Sequence, residues 1–129
     1  MFTTNSNRKR KALIIDDETD ICYLLSTILR QKNIQAVFAG SLSETDLILQ
    51  SADNFGYIFI DNHLPDGLGT TYIEKIRHRF PGTRLIMISA HDTNRDREQA
   101  EQHGIDDFIG KPFSKETVLR SVERAISGT

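Results

Sequence analysis

The 129-residue sequence predicts one α/β domain, built as a five-stranded parallel sheet with five helices on both faces. Short apolar runs alternate five times with longer stretches in which apolar residues recur at helical spacing. Parallel strands joined by crossover helices are the arrangement that such an alternation favours. The length fits one domain and leaves no room for two of ordinary size.

Five segments are predicted strands. Three of them are uninterrupted apolar runs, which is typical of strands buried on both faces of a parallel sheet. A shorter run at residues 108–109 follows late in the chain, and the weaker alternation at residues 34–39 suits a sheet edge. The three uninterrupted runs are residues 12–15, 57–60 and 85–88.

Amphipathic stretches between these runs are the predicted helices. In the first, apolar residues recur at i, i+3, i+4, i+7 and i+8 from Ile21, which defines one face of a helix. Ser41 and Glu44 have the spacing of a capping box for the second helix. Pro81 and Gly82 end the third.

The fourth and fifth predicted helices differ in the apolar surface that they carry. Residues 93–103 have a helical pattern in which Ala100 is nearly the only apolar residue, so we expect this helix to be loosely held. Ser114 is the predicted cap of the fifth helix. Its apolar stripe consists of Val118, Leu119, Val122 and Ile126.

Composition excludes several classes of protein. A single cysteine, Cys22, rules out an internal disulfide and a cysteine zinc cluster. It lies beside the apolar stripe of the first helix, and we expect it to be a packing residue. No apolar run approaches the roughly 20 residues of a membrane helix, and the N-terminus lacks the apolar core of a signal peptide. We therefore expect a cytoplasmic protein that does not bind membranes.

Charge is divided unevenly along the chain. The net charge of −2 is the sum of +4 from the basic run at residues 8–11 and −6 from the rest. An acidic body argues against direct binding of nucleic acid by the domain. We expect residues 1–10 to form a flexible polar and basic tail, followed by the domain at residues 11–127.

Polar residues with complementary chemistry follow four of the five predicted strands. The carboxyl ends of parallel strands lie at one edge of a sheet, which is where doubly wound folds place their sites. We therefore expect carboxylates, a hydroxyl and an ammonium in one pocket. The residues are Asp16, Asp17 and Glu18 after the first strand, Asp61 after the third, Ser89 after the fourth and Lys111 after the fifth.

This set of residues suits a divalent cation and a phosphate. Clustered carboxylates repel one another and resist ionisation unless a cation compensates them. Oxygen ligands without clustered His or Cys favour Mg²⁺ over zinc. Lys111 and the Ser89 hydroxyl could donate to a phosphate that completes the metal's coordination. The alternative is an acidic loop beside unrelated polar strand ends.

The chain resembles a response-regulator receiver domain, the phosphoacceptor half of two-component signalling. The resemblance covers residues 11–127 and rests on LIIDDE at 13–18, DNHLPDGLG at 61–69, ISA at 88–90 and FIGKPF at 108–113. Phe108 follows Ser89 by 19 residues and precedes Lys111 by three, as in the family. The resemblance implies the flavodoxin-like strand order 2-1-3-4-5.

The resemblance also implies a signalling phosphoacceptor that catalyses only its own phosphorylation and dephosphorylation. Asp61 would accept the phosphoryl group, and Lys111 and Ser89 would contact it. Ser89 and Phe108 would form a switch, although an aromatic residue in a strand is more often simply part of the core. The Lys111–Pro112 peptide would be cis. The implied ligands of Mg²⁺ are Asp16, Asp17, Asp61 and the main-chain carbonyl of His63.

Partners follow from the same resemblance. The phosphoryl donor would be a histidine kinase or a histidine phosphotransfer protein. The fourth helix, fifth strand and fifth helix would control a downstream protein or a fused output domain, and a homodimer could form through the same surface. Alternatives are a degenerate receiver that only scaffolds a partner, a haloacid-dehalogenase-like phosphatase and a flavodoxin-type flavin carrier.

Two histidines have unusual positions. His63 lies two residues after Asp61, and His91 lies two residues after Ser89. In receivers these positions flank the path of the water that attacks the phosphoryl group, so the resemblance implies that both side chains tune the lifetime of the signal. The alternative is that both are solvated loop residues.

Overall fold

The computed structural model describes residues 11–51 and 54–127, with side chains up to residue 124. The expected flexible tail and the side chain of Ile126 lie outside the described residues. The sheet consists of β1 (Lys11–Ile15), β2 (Gln35–Ala39), β3 (Tyr57–Asp61), β4 (Arg84–Ser89) and β5 (Asp107–Gly110). The helices are α1 (Thr19–Arg30), α2 (Leu42–Ser51), α3 (Ile73–Arg79), α4 (Asn94–His103) and α5 (Lys115–Ser127).

All strands of this sheet are parallel, and their order is β2-β1-β3-β4-β5. The predicted fold class and strand order are therefore confirmed. Alternate residues of each central strand enter two separate cores, one on each face of the sheet. Helices α1 and α5 cover one core, whereas α2, α3 and α4 cover the other.

Helix α4 is held mainly by its ends. Among its described residues only Ala100 is buried. Thr93 and Asp96 form a reciprocal capping box at its start, and Gly104 ends it in the left-handed conformation with φ 104°. The predicted helix and its narrow core face are confirmed. Such a helix loses little burial when it moves.

Two carboxylates accept hydrogen bonds from backbone N–H groups at the start of α2. Ser41 Oγ accepts from the Glu44 N–H at 3.1 Å, as the capping-box spacing predicts. Glu44 itself accepts from the Gly40 N–H at 2.7 Å, one residue earlier than a standard box requires. Asp66 accepts from the N–H groups of Leu42 and Ser43 at 2.8 and 2.9 Å. The loop after β3 is thereby fastened to α2.

The loop between β3 and α3 makes a tight return at the end of the sheet. His63–Leu64 pairs antiparallel with Gly67–Leu68, and a 3₁₀ turn over Gly69–Tyr72 leads into α3. A Cβ at Gly69 would lie 2.5 Å from the carbonyl oxygen of Asp61. Glycine is therefore required where the chain passes behind Asp61.

No helix within the described ranges is both long and apolar enough to cross a membrane.

Candidate functional site

The carboxyl edge of the sheet gathers the residues that the sequence places there. Asp16 lies directly after β1, Asp61 and Ser89 are the last residues of β3 and β4, and Lys111 follows β5. Asp16, Asp61 and Ser89 are each at least 95% buried. The sheet register, in which Asp61 pairs with Ile88, places the β3 and β4 ends side by side.

Lys111 lies among three carboxylates. Its Nζ is 2.6 Å from Glu18 Oε1, 2.9 Å from Asp16 Oδ2 and 3.4 Å from Asp61 Oδ2. Its backbone N–H donates to the Ser89 carbonyl at 2.9 Å, and the Lys111–Pro112 peptide is cis as the resemblance implies. Lys111 thus joins the ends of β1, β3, β4 and β5.

Burial dominates the electrostatics of the pocket. It raises the pKa of Asp16 and of Asp61 above the usual value, although Lys111 and the neighbouring backbone N–H groups act in the opposite direction. Burial alone would lower the pKa of Lys111, but its hydrogen bond with Glu18 and its close ion pair with Asp16 outweigh this and raise it. One ammonium is therefore not enough to compensate these carboxylates.

The pocket has the donor chemistry of a divalent-cation site. Ligand oxygens of Asp16, Glu18 and Asp61 lie within 4.8 Å of one another. Asp16 Oδ2 is buried and, despite its ion pair with Lys111, accepts no hydrogen bond of good geometry from the described residues. Three carboxylates and one ammonium leave two negative charges, which a divalent cation would balance.

The structure differs from the sequence-based prediction in which carboxylates form this cluster. Asp17 is exposed, whereas Glu18 contributes the third clustered carboxylate. The predicted roles of Asp17 and of the His63 carbonyl as metal ligands stay predictions. The sequence predicts Glu18 near the pocket but not as a member of the cluster, because nothing in it determines which of two neighbouring side chains turns towards Lys111.

Ser89 is oriented by the loop that follows it. Its Oγ accepts a hydrogen bond from the His91 N–H at 3.1 Å. The ring of His91 lies against that of His63, with centroids 4.1 Å apart and planes inclined by 36°. Both histidines are exposed. The two loops that follow Asp61 and Ser89 therefore meet through their histidines.

Phe108 is half-buried on the edge strand β5 and packs against the core beneath α4. The guanidinium carbon of Arg97 lies over its ring. Arg97 Nε also donates to the Asp92 carbonyl at 3.3 Å, in the loop after Ser89. Sequence reasoning did not single out Arg97, since one arginine in a polar helix gives no signal.

The model of the response regulator receiver domain family matches residues 12–123. The chain belongs to this family. It is 35% identical over 104 residues to the response regulator protein PilR of Pseudomonas aeruginosa, covering 81% of the chain and 23% of PilR. Identity to the nisin biosynthesis regulatory protein NisR of Lactococcus lactis is 32%, covering 90% of the chain and 50% of NisR. The receiver therefore spans half or less of these two relatives.

Solved receivers have the same architecture. A two-component response regulator from Clostridium difficile superposes with a TM-score of 0.84 at 28% identity, covering 90% of this chain and 94% of the other. The beryllofluoride-activated receiver domain dimer of NtrC4 gives a TM-score of 0.82 at 30% identity, covering 92% and 98%. The receiver assignment is thereby confirmed, and the phosphatase and flavin-carrier alternatives are not favoured.

Proposed function

We propose that this receiver accepts a phosphoryl group on Asp61 and converts the modification into a change of the surface formed by α4, β5 and α5. The proposal rests on the contacts that the Asp61 carboxylate makes. Its buried carboxylate lies 3.4 Å from the Lys111 ammonium, within a cluster of further carboxylates at the edge of the sheet.

The reaction has a simple balance. An oxygen of the Asp61 carboxylate attacks the phosphorus of a phosphohistidine, the Oδ–P bond forms, and the bond from phosphorus to the donor nitrogen breaks. Lys111 is placed to balance charge on the phosphoryl oxygens. Mg²⁺ would supply the remaining charge compensation, and we assign it to Asp16, Asp17, Asp61 and the His63 main-chain carbonyl. Glu18 adds a further carboxylate beside this set.

The donor is a histidine kinase or a histidine phosphotransfer protein, as in two-component signalling. The receiving surface fits a downstream protein or an output domain. The NtrC4 receiver was solved as an activated dimer, which supports a homodimer through α4, β5 and α5 as one form of output. PilR and NisR extend well beyond the length of the receiver, which supports a fused output domain as another.

The conformational step uses Ser89 and Phe108. On phosphorylation the Ser89 hydroxyl leaves its contact with the His91 N–H and donates to a phosphoryl oxygen. Phe108 then turns into the space that becomes free, and α4 follows because little burial holds it. The phosphoryl group drives this shift because it contacts the two arrangements differently.

His63 and His91 set the lifetime of the phosphorylated state in this proposal. Their stacked rings lie where the loops after β3 and β4 meet. A pair of rings at this position narrows the approach of water to the phosphoryl group on Asp61. Hydrolysis of the acyl phosphate then resets the switch.

Phosphorylation by a small donor tests the proposal. With acetyl phosphate and Mg²⁺, intact-mass analysis should detect one added phosphoryl group on the wild-type chain. The Asp61→Asn variant should gain none, and neither should the wild type with excess EDTA. Equal labelling of wild type and variant would contradict the assignment of Asp61.

A further inference from the structure

Glu18 makes the shortest contact with the Lys111 ammonium, although the resemblance to receivers gives it no role. The distance is 2.6 Å, compared with 2.9 Å from Asp16 and 3.4 Å from Asp61. The Glu18 side chain is 58% exposed, whereas that of Lys111 is 10% exposed. Glu18 is thus the outermost member of the cluster and makes the shortest of the three contacts with the Lys111 ammonium.

Local backbone structure directs Glu18 towards Lys111. Glu18 is the N-cap residue of α1, with φ −87° and ψ 107°, but its side chain accepts no capping hydrogen bond. Its main-chain N–H donates to Asp16 Oδ1 at 2.9 Å. The backbone is therefore fixed to the buried carboxylate, and the free side chain reaches across the pocket to Lys111.

The contact with Glu18 competes with the contact that Lys111 makes with the phosphoryl group in the proposed reaction. A divalent cation held by Asp16 and Asp61 would compensate those two carboxylates and loosen their hold on the ammonium. The Glu18 carboxylate would then be the remaining anion in contact with Lys111. To donate fully to an incoming phosphoryl group, Lys111 has to give up part of that contact.

We infer that Glu18 is a positioning residue, which holds Lys111 in its resting place and lowers the affinity of the pocket for a phosphoryl group. The inference rests on the proposed function. At position 18 the length of the side chain matters, because Glu18 reaches across the pocket to the ammonium at 2.6 Å. Its effect is therefore distinct from simple repulsion between a negative charge and an anion.

Two variants distinguish the effect of the length of the Glu18 side chain from the effect of its charge. Glu18→Gln removes the charge and keeps the length, whereas Glu18→Asp keeps the charge and withdraws the carboxylate from Lys111 by one methylene. Asp20→Asn removes an exposed charge from the first turn of the same helix and serves as the control. Because Glu18 is exposed and caps nothing with its side chain, we expect all three full-length variants to fold, which thermal denaturation checks.

The readout is the affinity for beryllofluoride, a phosphoryl mimic, measured by ¹⁹F NMR on the full chain at Mg²⁺ concentrations that saturate each variant. Exposed ion pairs have modest energies, so Glu18→Gln and Glu18→Asp should each bind about two- to fivefold more tightly than wild type. Asp20→Asn should bind like wild type.

Two patterns of variant affinity would overturn the inference while leaving the proposed function intact. Unchanged or weaker binding by Glu18→Gln would show that Glu18 does not restrain Lys111. Wild-type affinity in Glu18→Asp, together with tighter binding by Glu18→Gln, would show that charge alone acts. If wild-type protein with Mg²⁺ bound no beryllofluoride at all, the proposed function itself would fail, and this inference with it.

Discussion

The guanidinium carbon of Arg97 lies 4.7 Å from the centroid of the Phe108 ring. This cation–π contact joins α4, the helix with the narrowest core face, to the aromatic residue of the proposed switch. Arg97 is in turn bound to the Asp92 carbonyl, three residues after Ser89. The contact is made while Phe108 is half-buried, so it stabilises the resting position of the ring.

Replacing Arg97 with alanine should therefore favour the switched state. An exposed cation–π contact contributes about 0.5 to 1 kcal/mol, which is about a two- to fivefold change in the switching equilibrium. Because switching and phosphoryl binding are linked, beryllofluoride should bind Arg97→Ala more tightly by up to that factor. Arg97→Lys should retain part of the restraint.

Arg95→Ala provides the matched control, since Arg95 is exposed on the same helix. It removes a positive charge from α4 without touching Phe108. Equal beryllofluoride affinities for Arg97→Ala, Arg95→Ala and wild type would refute a restraining role for the cation–π contact.

Asp61→Asn should raise the melting temperature of the metal-free protein. Burial raises the pKa of Asp61, so ionising this carboxylate costs folding free energy that a neutral amide avoids. Added Mg²⁺ should stabilise the wild type more than the variant, because binding to the folded state adds to its stability. Differential scanning calorimetry with and without Mg²⁺ checks both expectations.

The stability gain of Asp61→Asn should depend on pH. The folded-state pKa of Asp61 lies above its unfolded value of 3.8, so its penalty is complete above the folded-state pKa and disappears below the unfolded value. The difference in stability between variant and wild type should narrow as the pH falls from about 7 towards about 4. A difference that stays constant across this range would point to a cause other than ionisation.

Gly69→Ala should destabilise the fold and disturb the site. The added Cβ would lie 2.5 Å from the Asp61 carbonyl oxygen, which forces the backbone beside the phosphoacceptor to shift. Overpacking of this kind costs about 1 to 3 kcal/mol. Gly82→Ala is the control, since a Cβ there meets nothing within 4 Å. Urea denaturation and beryllofluoride titration should both distinguish the two variants, and similar behaviour would rule out the close approach.

Removing the histidine pair should shorten the life of the phosphorylated protein. If the rings of His63 and His91 restrict the approach of water, the double alanine variant should lose its phosphoryl group several times faster than wild type. Because the rings contact each other, the two single substitutions should not combine additively. The measurement is the decay of the phosphorylated mass after removal of acetyl phosphate.

His78→Ala is the matched control, since this exposed histidine lies on α3. If the double variant loses its phosphoryl group at the wild-type rate, His63 and His91 are solvated loop residues with no effect on the lifetime of the phosphorylated protein.

Most of this architecture can be predicted from the sequence, because short-range hydrophobic patterns indicate where strands and helices form. Unbroken apolar runs predict the central strands, and strand ends place Asp16, Asp61 and Ser89 at one edge of the sheet. Contacts made by long side chains cannot be predicted from such patterns. Glu18 and Arg97 reach partners 93 and 11 residues away along the chain, and their direction depends on tertiary packing that no local pattern encodes.

The capping of α2 illustrates the same limit. Ser41 and Glu44 have the predicted spacing, but Glu44 binds the Gly40 N–H and a distant carboxylate, Asp66, supplies further caps. The sequence could locate the helix start but not the long-range contact that fastens it. The stacking of His63 on His91 likewise required the two loops to be placed in space.

Amide hydrogen exchange of the full chain, with and without beryllofluoride and saturating Mg²⁺, tests most directly whether chemistry at Asp61 controls the α4, β5 and α5 surface. We expect altered exchange in α4 and β5 of the wild type, and no change in the Asp61→Asn variant under the same conditions. Unaltered exchange in α4 and β5 of wild-type protein whose Asp61 is saturated with beryllofluoride would contradict this expectation.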